Sequence, residues 1–260
     1  LDFRVFPSSE EAARSLASEI AELIRDKEAA GKCVVFGLAT GRTPLPLYRE
    51  LIRLHQQEGL SFRNVITFNL DEYYGLSPVH PQSYWRFMRE QLFDHIDILP
   101  ENIHLPHGDL PLEEVDADCL NYEDAIQKAG GIDLQILGIG RTGHIGFNEP
   151  GSGHETRTRL VELDPVTRAD AAGDFGGLSA VPERAVTMGC GTILDSRRLV
   201  LMAWGSSKAS IVERAFLGGI SDDVPASFLQ THPQTSIYLD EPAAVRLAVG
   251  CEEKHRLSED

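Results

Sequence analysis

Four short apolar runs, at residues 33–38, 65–70, 134–138 and 199–204, break at their carboxyl ends into glycines, hydroxyls and charged side chains. The runs do not alternate polar with apolar. A strand that is apolar on both sides must be covered on both sides, which is the habit of parallel sheets whose crossover helices pack on the two faces. Helical periodicity supplies such helices at 9–30, 47–55, 83–96, 122–129 and from 208 through 216, with further strands at 2–6 and 236–239. The predicted fold is therefore α/β: a doubly wound, mostly parallel Rossmann-like sheet with helices on both faces. In such sheets ligands bind beyond the carboxyl ends of the strands, where the four polar segments stand.

At 260 residues and 42% hydrophobic, the chain can bury a full core, and residues 1–260 read as a single α/β domain. The weakly periodic stretch at about 163–185, rich in Asp, Ala, Gly and Pro, reads as a lid segment. A net charge of −16, from 40 acidic against 24 basic residues, argues against nucleic acid or an acidic membrane surface as partner. Cys33, Cys119, Cys190 and Cys251 lack any ligand or redox spacing, and Cys33 falls within an apolar strand; they read as reduced structural thiols. With no apolar run of membrane-spanning length and no leader pattern, the expected location is the cytoplasm.

The richest strand end is the one after 134–138. Its turn holds Gly138, Gly140, Gly143 and Gly146 around His144, with Glu149 five residues further on. Glycines let the backbone approach a ligand closely, and an imidazole outside an apolar face can move protons near neutral pH. Glu149 could orient that ring or merely start the next segment. Asp71 and Glu72 follow the 65–70 strand directly, so at least one carboxylate is expected in the crevice, where desolvation raises its pKa and suits it as a general base; a helix cap is the other reading. Thr40, Gly41, Arg42 and Thr43 place backbone N–H groups and a guanidinium at a helix start, as a phosphate cradle would, although an ordinary strand-to-helix turn has the same look. Lys208 adds a second cation at another helix start. His80, His95, His104, His107 and His154 are scattered without metal-ligand spacing, and Gly151-Ser152-Gly153 lacks the strand-to-helix setting of a nucleophilic serine.

The segments Gly37-Leu38-Ala39-Thr40-Gly41-Arg42-Thr43-Pro44, Phe68-Asn69-Leu70-Asp71-Glu72-Tyr73, Gly143-His144-Ile145-Gly146-Phe147-Asn148-Glu149-Pro150 and Gly205-Ser206-Ser207-Lys208-Ala209 together resemble the glucosamine-6-phosphate deaminases, relatives of the 6-phosphogluconolactonases. The likeness runs from the first strand to Asp240-Glu241-Pro242. It implies conversion of glucosamine 6-phosphate and water to fructose 6-phosphate and ammonia, with no metal or organic cofactor. His144 would open the pyranose ring with Glu149 behind it. Asp71 would move the C2 proton to C1. Thr40, Gly41, Arg42, Thr43 and Lys208 would hold the phosphate, with Glu72 and Gly143 also at the substrate.

Two positions depart from the pattern. Thr142 stands where the family carries an aspartate in its ring-opening relay, which leaves Glu149 to orient His144 alone. Gly173 falls where a lid arginine grips the phosphate, a task Arg42 would take over. Some family members are hexamers activated by N-acetylglucosamine 6-phosphate between subunits, so a homo-oligomer is possible; Ser152 and Arg159 match part of that activator pattern, but Val161 stands where a lysine is expected. A lactonase with His144 as base and a non-catalytic sugar-phosphate sensor are the competing readings.

Overall fold

A computed structural model describes residues 1–247; Cys251 lies outside the described residues. Ten strands occur among the described residues: β1 Asp2–Phe6, β2 Val34–Leu38, β3 Val65–Asn69, β4 Asp71–Tyr73, β5 Ile103–His104, β6 Leu134–Leu137, β7 Arg159–Glu162, β8 Arg184–Thr187, β9 Leu199–Ala203 and β10 Thr235–Asp240. Seven form one all-parallel sheet in the order β1-β10-β9-β6-β2-β3-β5. The chain builds outward from β2 through β3 to β5, then returns to the other side of β2 at β6 and continues to β9 and β10. The reversal between β2 and β6 is a topological switch point, where an open α/β sheet parts its connections and leaves a crevice.

Side-chain alternation along the buried strands divides the core in two. Val34, Phe36 and Leu38 of β2, with Val200 and Met202 of β9, pack against helices Ser9–Ala29, Leu45–Glu58 and Tyr84–Gln91. Val35, with Leu199, Leu201 and Ala203, packs on the other face against Leu112–Lys128 and Ala209–Phe216. Period-two alternation with both sets apolar is why these strands read as unbroken hydrophobic runs. The first helix is closed by Ser8, whose hydroxyl accepts from the Glu11 N–H at 3.2 Å, a cap contributing about 1 kcal/mol.

Several local expectations need correction. Cys33 precedes β2 and is exposed rather than lying in the strand. The helix expected over 83–96 stops at Gln91, because Leu92 leaves helical geometry (φ −147°, ψ −61°), and a short turn Phe93–His95 follows. The helix expected to start at 122 begins ten residues earlier, behind Pro111. The strands β4, β8 and β7 were not foreseen; they form a separate antiparallel sheet in that order. Within it Asp71, Thr187 and Arg159 stand in one row, Thr187 facing both.

Candidate active site

The crevice at the switch point encloses about 240 Å³. It is lined by Thr40, Gly41, Arg42 and Thr43 after β2, by Asp71 after β3, by Gly140, His144 and Gly146 after β6, and by Lys208 after β9. Four strand ends thus meet in one cavity, as the apolar runs and their polar tails predicted.

Asp71 is buried, and its pKa is pushed up to about 8, first by burial and then by the neighbouring charge of Glu72. No hydrogen bond contributes to holding it ionised. The carboxylate faces the cavity beside Gly146, whose φ of +56° is a left-handed turn that a side chain would strain. A Cβ there would stand 2.9 Å from Thr187 Oγ1 and 3.4 Å from Asp71 Oδ2. Glu72, expected at the substrate, points elsewhere. Adjacent residues of a strand face opposite ways, and in β4 this sends Glu72 onto the backbone N–H groups of Tyr73, Tyr84 and Trp85, which donate to it at 2.8, 2.9 and 3.0 Å. Burial pushes it up to about 7 against the pull of those donors. Glu72 is the anchor of helix Tyr84–Gln91, the cap reading weighed from the sequence.

His144 sits over Gly140, where a Cβ would lie 2.1 Å from the imidazole Cε1 and Nε2. Its Nδ1 meets Thr142 Oγ1 at 2.9 Å and Glu149 Oε2 at 3.1 Å. The Thr142 hydroxyl also donates to Glu149 Oε2 at 3.3 Å. The expectation that Glu149 orients the ring alone is therefore corrected: a neutral hydroxyl closes a three-member network where an acid was anticipated. Burial raises the Glu149 pKa, but the hydrogen bond and charge of His144 outweigh it and hold the carboxyl below its ordinary value. The small sheet supports this loop, with Thr187 Oγ1 accepting from the Phe147 N–H at 3.1 Å and Arg159 donating to Asn148 Oδ1 at 2.9 Å. Arg159 also reaches Ser152 Oγ at 3.1 Å. Gly143, expected to touch substrate, turns away: its carbonyl accepts from the Ala226 N–H at 2.9 Å, and a Cβ would strike Val224.

At the cationic end, Lys208 Nζ donates to the Ile139 carbonyl at 2.7 Å, and burial lowers its pKa. The β2 loop is tied to the same side by Trp204 Nε1, which donates to the Thr43 carbonyl at 2.8 Å. The Arg42 side chain is 91% exposed and reaches Asp174 Oδ1 at 3.7 Å. Asp174 belongs to the 163–185 segment, which holds helix Pro165–Ala171 and a second exposed pair, Arg141 to Asp170 at 3.2 Å. Gly173 has no atom within 4 Å of where a side chain would begin.

Sequence reasoning missed Tyr84, which lines the cavity from the first turn of its helix, and Thr167, whose hydroxyl lies 3.4 Å from His144 Nδ1. Tyr84 had a readable neighbour in Ser83, an N-cap that fixes where the helix begins; Thr167 had none. No group of three or more His, Cys, Asp or Glu residues placed to hold a metal occurs among the described residues, nor is any helix there long and apolar enough to cross a membrane.

A parallel sheet with a buried carboxyl, an oriented imidazole and a cationic loop at its switch point has the make-up of an α/β enzyme site for a small anionic ligand. Residues 7–238 match the family described as glucosamine-6-phosphate isomerases/6-phosphogluconolactonase, and the chain belongs to that family. It is 50% identical over 240 residues to a glucosamine-6-phosphate deaminase of Hahella chejuensis, covering 92% of this chain and 89% of that protein. A solved monomeric glucosamine-6-phosphate deaminase is 43% identical and superposes with a TM-score of 0.90 over 94% of this chain and 99% of the other. The 6-phosphogluconolactonase of Trypanosoma brucei, 20% identical with a TM-score of 0.73 over 95% of this chain and 98% of its own, shares the fold.

Proposed function

We propose that this protein converts glucosamine 6-phosphate and water to fructose 6-phosphate and ammonia, a step of amino-sugar catabolism. The observation that carries the reading is Asp71: a buried carboxylate, raised to about 8 and without hydrogen bonds of its own, in the same cavity as a hydrogen-bonded imidazole. A carboxyl whose pKa lies near neutrality, with nothing else to bind, can both take and return a proton, as transfer between neighbouring carbons requires.

In this reading His144 takes the proton of the C1 hydroxyl and returns one to the ring oxygen, breaking the C1–O5 bond. The Glu149 carboxylate and Thr142 hydroxyl at Nδ1 hold the ring in place for both transfers. Asp71 then removes the C2 proton as the carbonyl oxygen O1 takes a proton from the C2 ammonium, giving an enolamine, and delivers its own proton to C1, which leaves an iminium at C2. Water adds to that carbon and ammonia departs, so the products balance substrate plus water. Thr40, Gly41, Thr43 and Lys208 hold the phosphate, and Arg42 joins them by exchanging Asp174 for the ligand. An exposed pair such as Arg42–Asp174 contributes about 1 kcal/mol or less, so a dianion competes with it readily. The 163–185 segment then acts as a lid.

The test is a coupled assay for ammonia and fructose 6-phosphate with glucosamine 6-phosphate, run beside hydrolysis of 6-phosphogluconolactone. Equal amounts of the two products support the reading. Lactone hydrolysis without ammonia release would replace it with the lactonase, and tight binding without either product would leave a sensor.

A further inference from the structure

Thr167 occupies the middle of helix Pro165–Ala171 in the 163–185 segment, yet it is 8% exposed, because its side chain turns inward to the relay. Its hydroxyl lies 3.4 Å from His144 Nδ1, long for a hydrogen bond. That nitrogen has closer partners in Thr142 and Glu149. The Thr167 hydroxyl and the Asp164 N–H both stand near enough to the Glu149 carboxylate to favour its charged form. Even so, Glu149 Oε1 is buried without a partner of full hydrogen-bond geometry. A buried carboxylate oxygen left in that state is costly, and the donors beside it belong to the segment whose Asp170 and Asp174 pair with Arg141 and Arg42. Both arginines sit on loops that shape the site. A phosphate drawn to Arg42 therefore acts on the same short segment that carries Thr167.

We infer that Thr167 is a positioning residue for ring opening: when the 163–185 segment tightens over a bound sugar phosphate, its hydroxyl is donated to Glu149 and completes the carboxylate's hold on His144. Catalytic hydrogen bonds that are long in the free protein commonly shorten in the substrate complex. The inference rests on the deaminase reading and adds to it a link between the phosphate end of the site and the proton relay.

The experiment compares Thr167→Val, nearly the same shape without the hydroxyl, with Thr167→Ser and Thr167→Ala. Loss of one hydrogen bond to a charged group is expected to lower kcat for ammonia release about tenfold in the Val and Ala proteins, with KM within about twofold of wild type. Thr167→Ser should recover most of kcat. Proton NMR provides a second readout: on addition of 2-amino-2-deoxyglucitol 6-phosphate, the His144 Nδ1–H signal should move downfield in wild type and Thr167→Ser, and stay in place in the Val and Ala proteins. A Val protein with wild-type kcat, a Ser protein as slow as Val, or an unchanged signal in wild type would each overturn the inference. Wild-type protein that releases no ammonia would remove the deaminase reading itself, and this inference with it.

Discussion

Asp71 and Glu149 are both buried carboxylates within one site, and their surroundings drive them in opposite directions. Asp71 stands next to another acid with no donor to satisfy it, and is pushed up to about 8. Glu149 is desolvated too, but lies against His144 and is held below its ordinary value. In the proposed reaction the contrast divides the tasks: the carboxyl that gains and loses a proton near neutrality exchanges protons with substrate, while the one that stays charged orients its neighbour. Separated pKa values within one site mark such a division of acid–base work.

The most severe way to break this comparison is Asp71→Asn. Ammonia release is expected to fall about a thousandfold. Stability should move the other way. The folded pKa of Asp71 is raised from 3.8 to about 8, so the folded protein binds a proton that the unfolded chain releases, and stability is lost as pH rises through that window. Thermal melts should therefore show Asp71→Asn gaining Tm relative to wild type at pH 8.5 and little at pH 4. Glu149→Gln should lower kcat about a hundredfold and, unlike the first variant, lower Tm at neutral pH. Its depressed pKa contributes stability present above the unfolded value and lost as pH falls through the folded one.

At the phosphate end, removing a charge-assisted contact at Lys208 by Lys208→Ala should raise KM about thirtyfold, and Arg42→Ala about threefold, because the first cation is half-buried and the second exposed. An unchanged KM in Arg42→Ala would remove that residue from the phosphate site. The smallest effect is expected from Thr142→Asp. The Thr142 hydroxyl already bridges His144 and Glu149, and a second acid beside Glu149 would oppose its charge, so steady-state kinetics should show no large acceleration.

The parallel sheet was legible because strands covered on both faces have no polar side to conceal them, and each ends where its chemistry begins. The small antiparallel sheet was not. Strand β4 has three residues and β7 is only half-buried, so their pairing depends on partners far along the chain. That omission explains the error at Glu72: without knowing that Asp71–Tyr73 is a strand, nothing in two adjacent acids says which one faces the cavity. The glycine turn was readable as a site, yet its glycines serve different ends, Gly140 admitting the imidazole, Gly146 the Thr187 hydroxyl and Gly143 the Val224 side chain. Thr167 lay in a seven-residue helix too short to show a period. Thr142 was identified as a departure, but only its distances showed the hydroxyl joined to both His144 and Glu149.

The division between the two carboxylates is tested most directly by following their carboxyl carbons through a pH titration by carbon-13 NMR, assigned with Asp71→Asn and Glu149→Gln. The account predicts that Asp71 titrates near 8 while Glu149 remains ionised to below its ordinary value of 4.5. Titration of both at an ordinary carboxylate pH, or of Glu149 above Asp71, would contradict it.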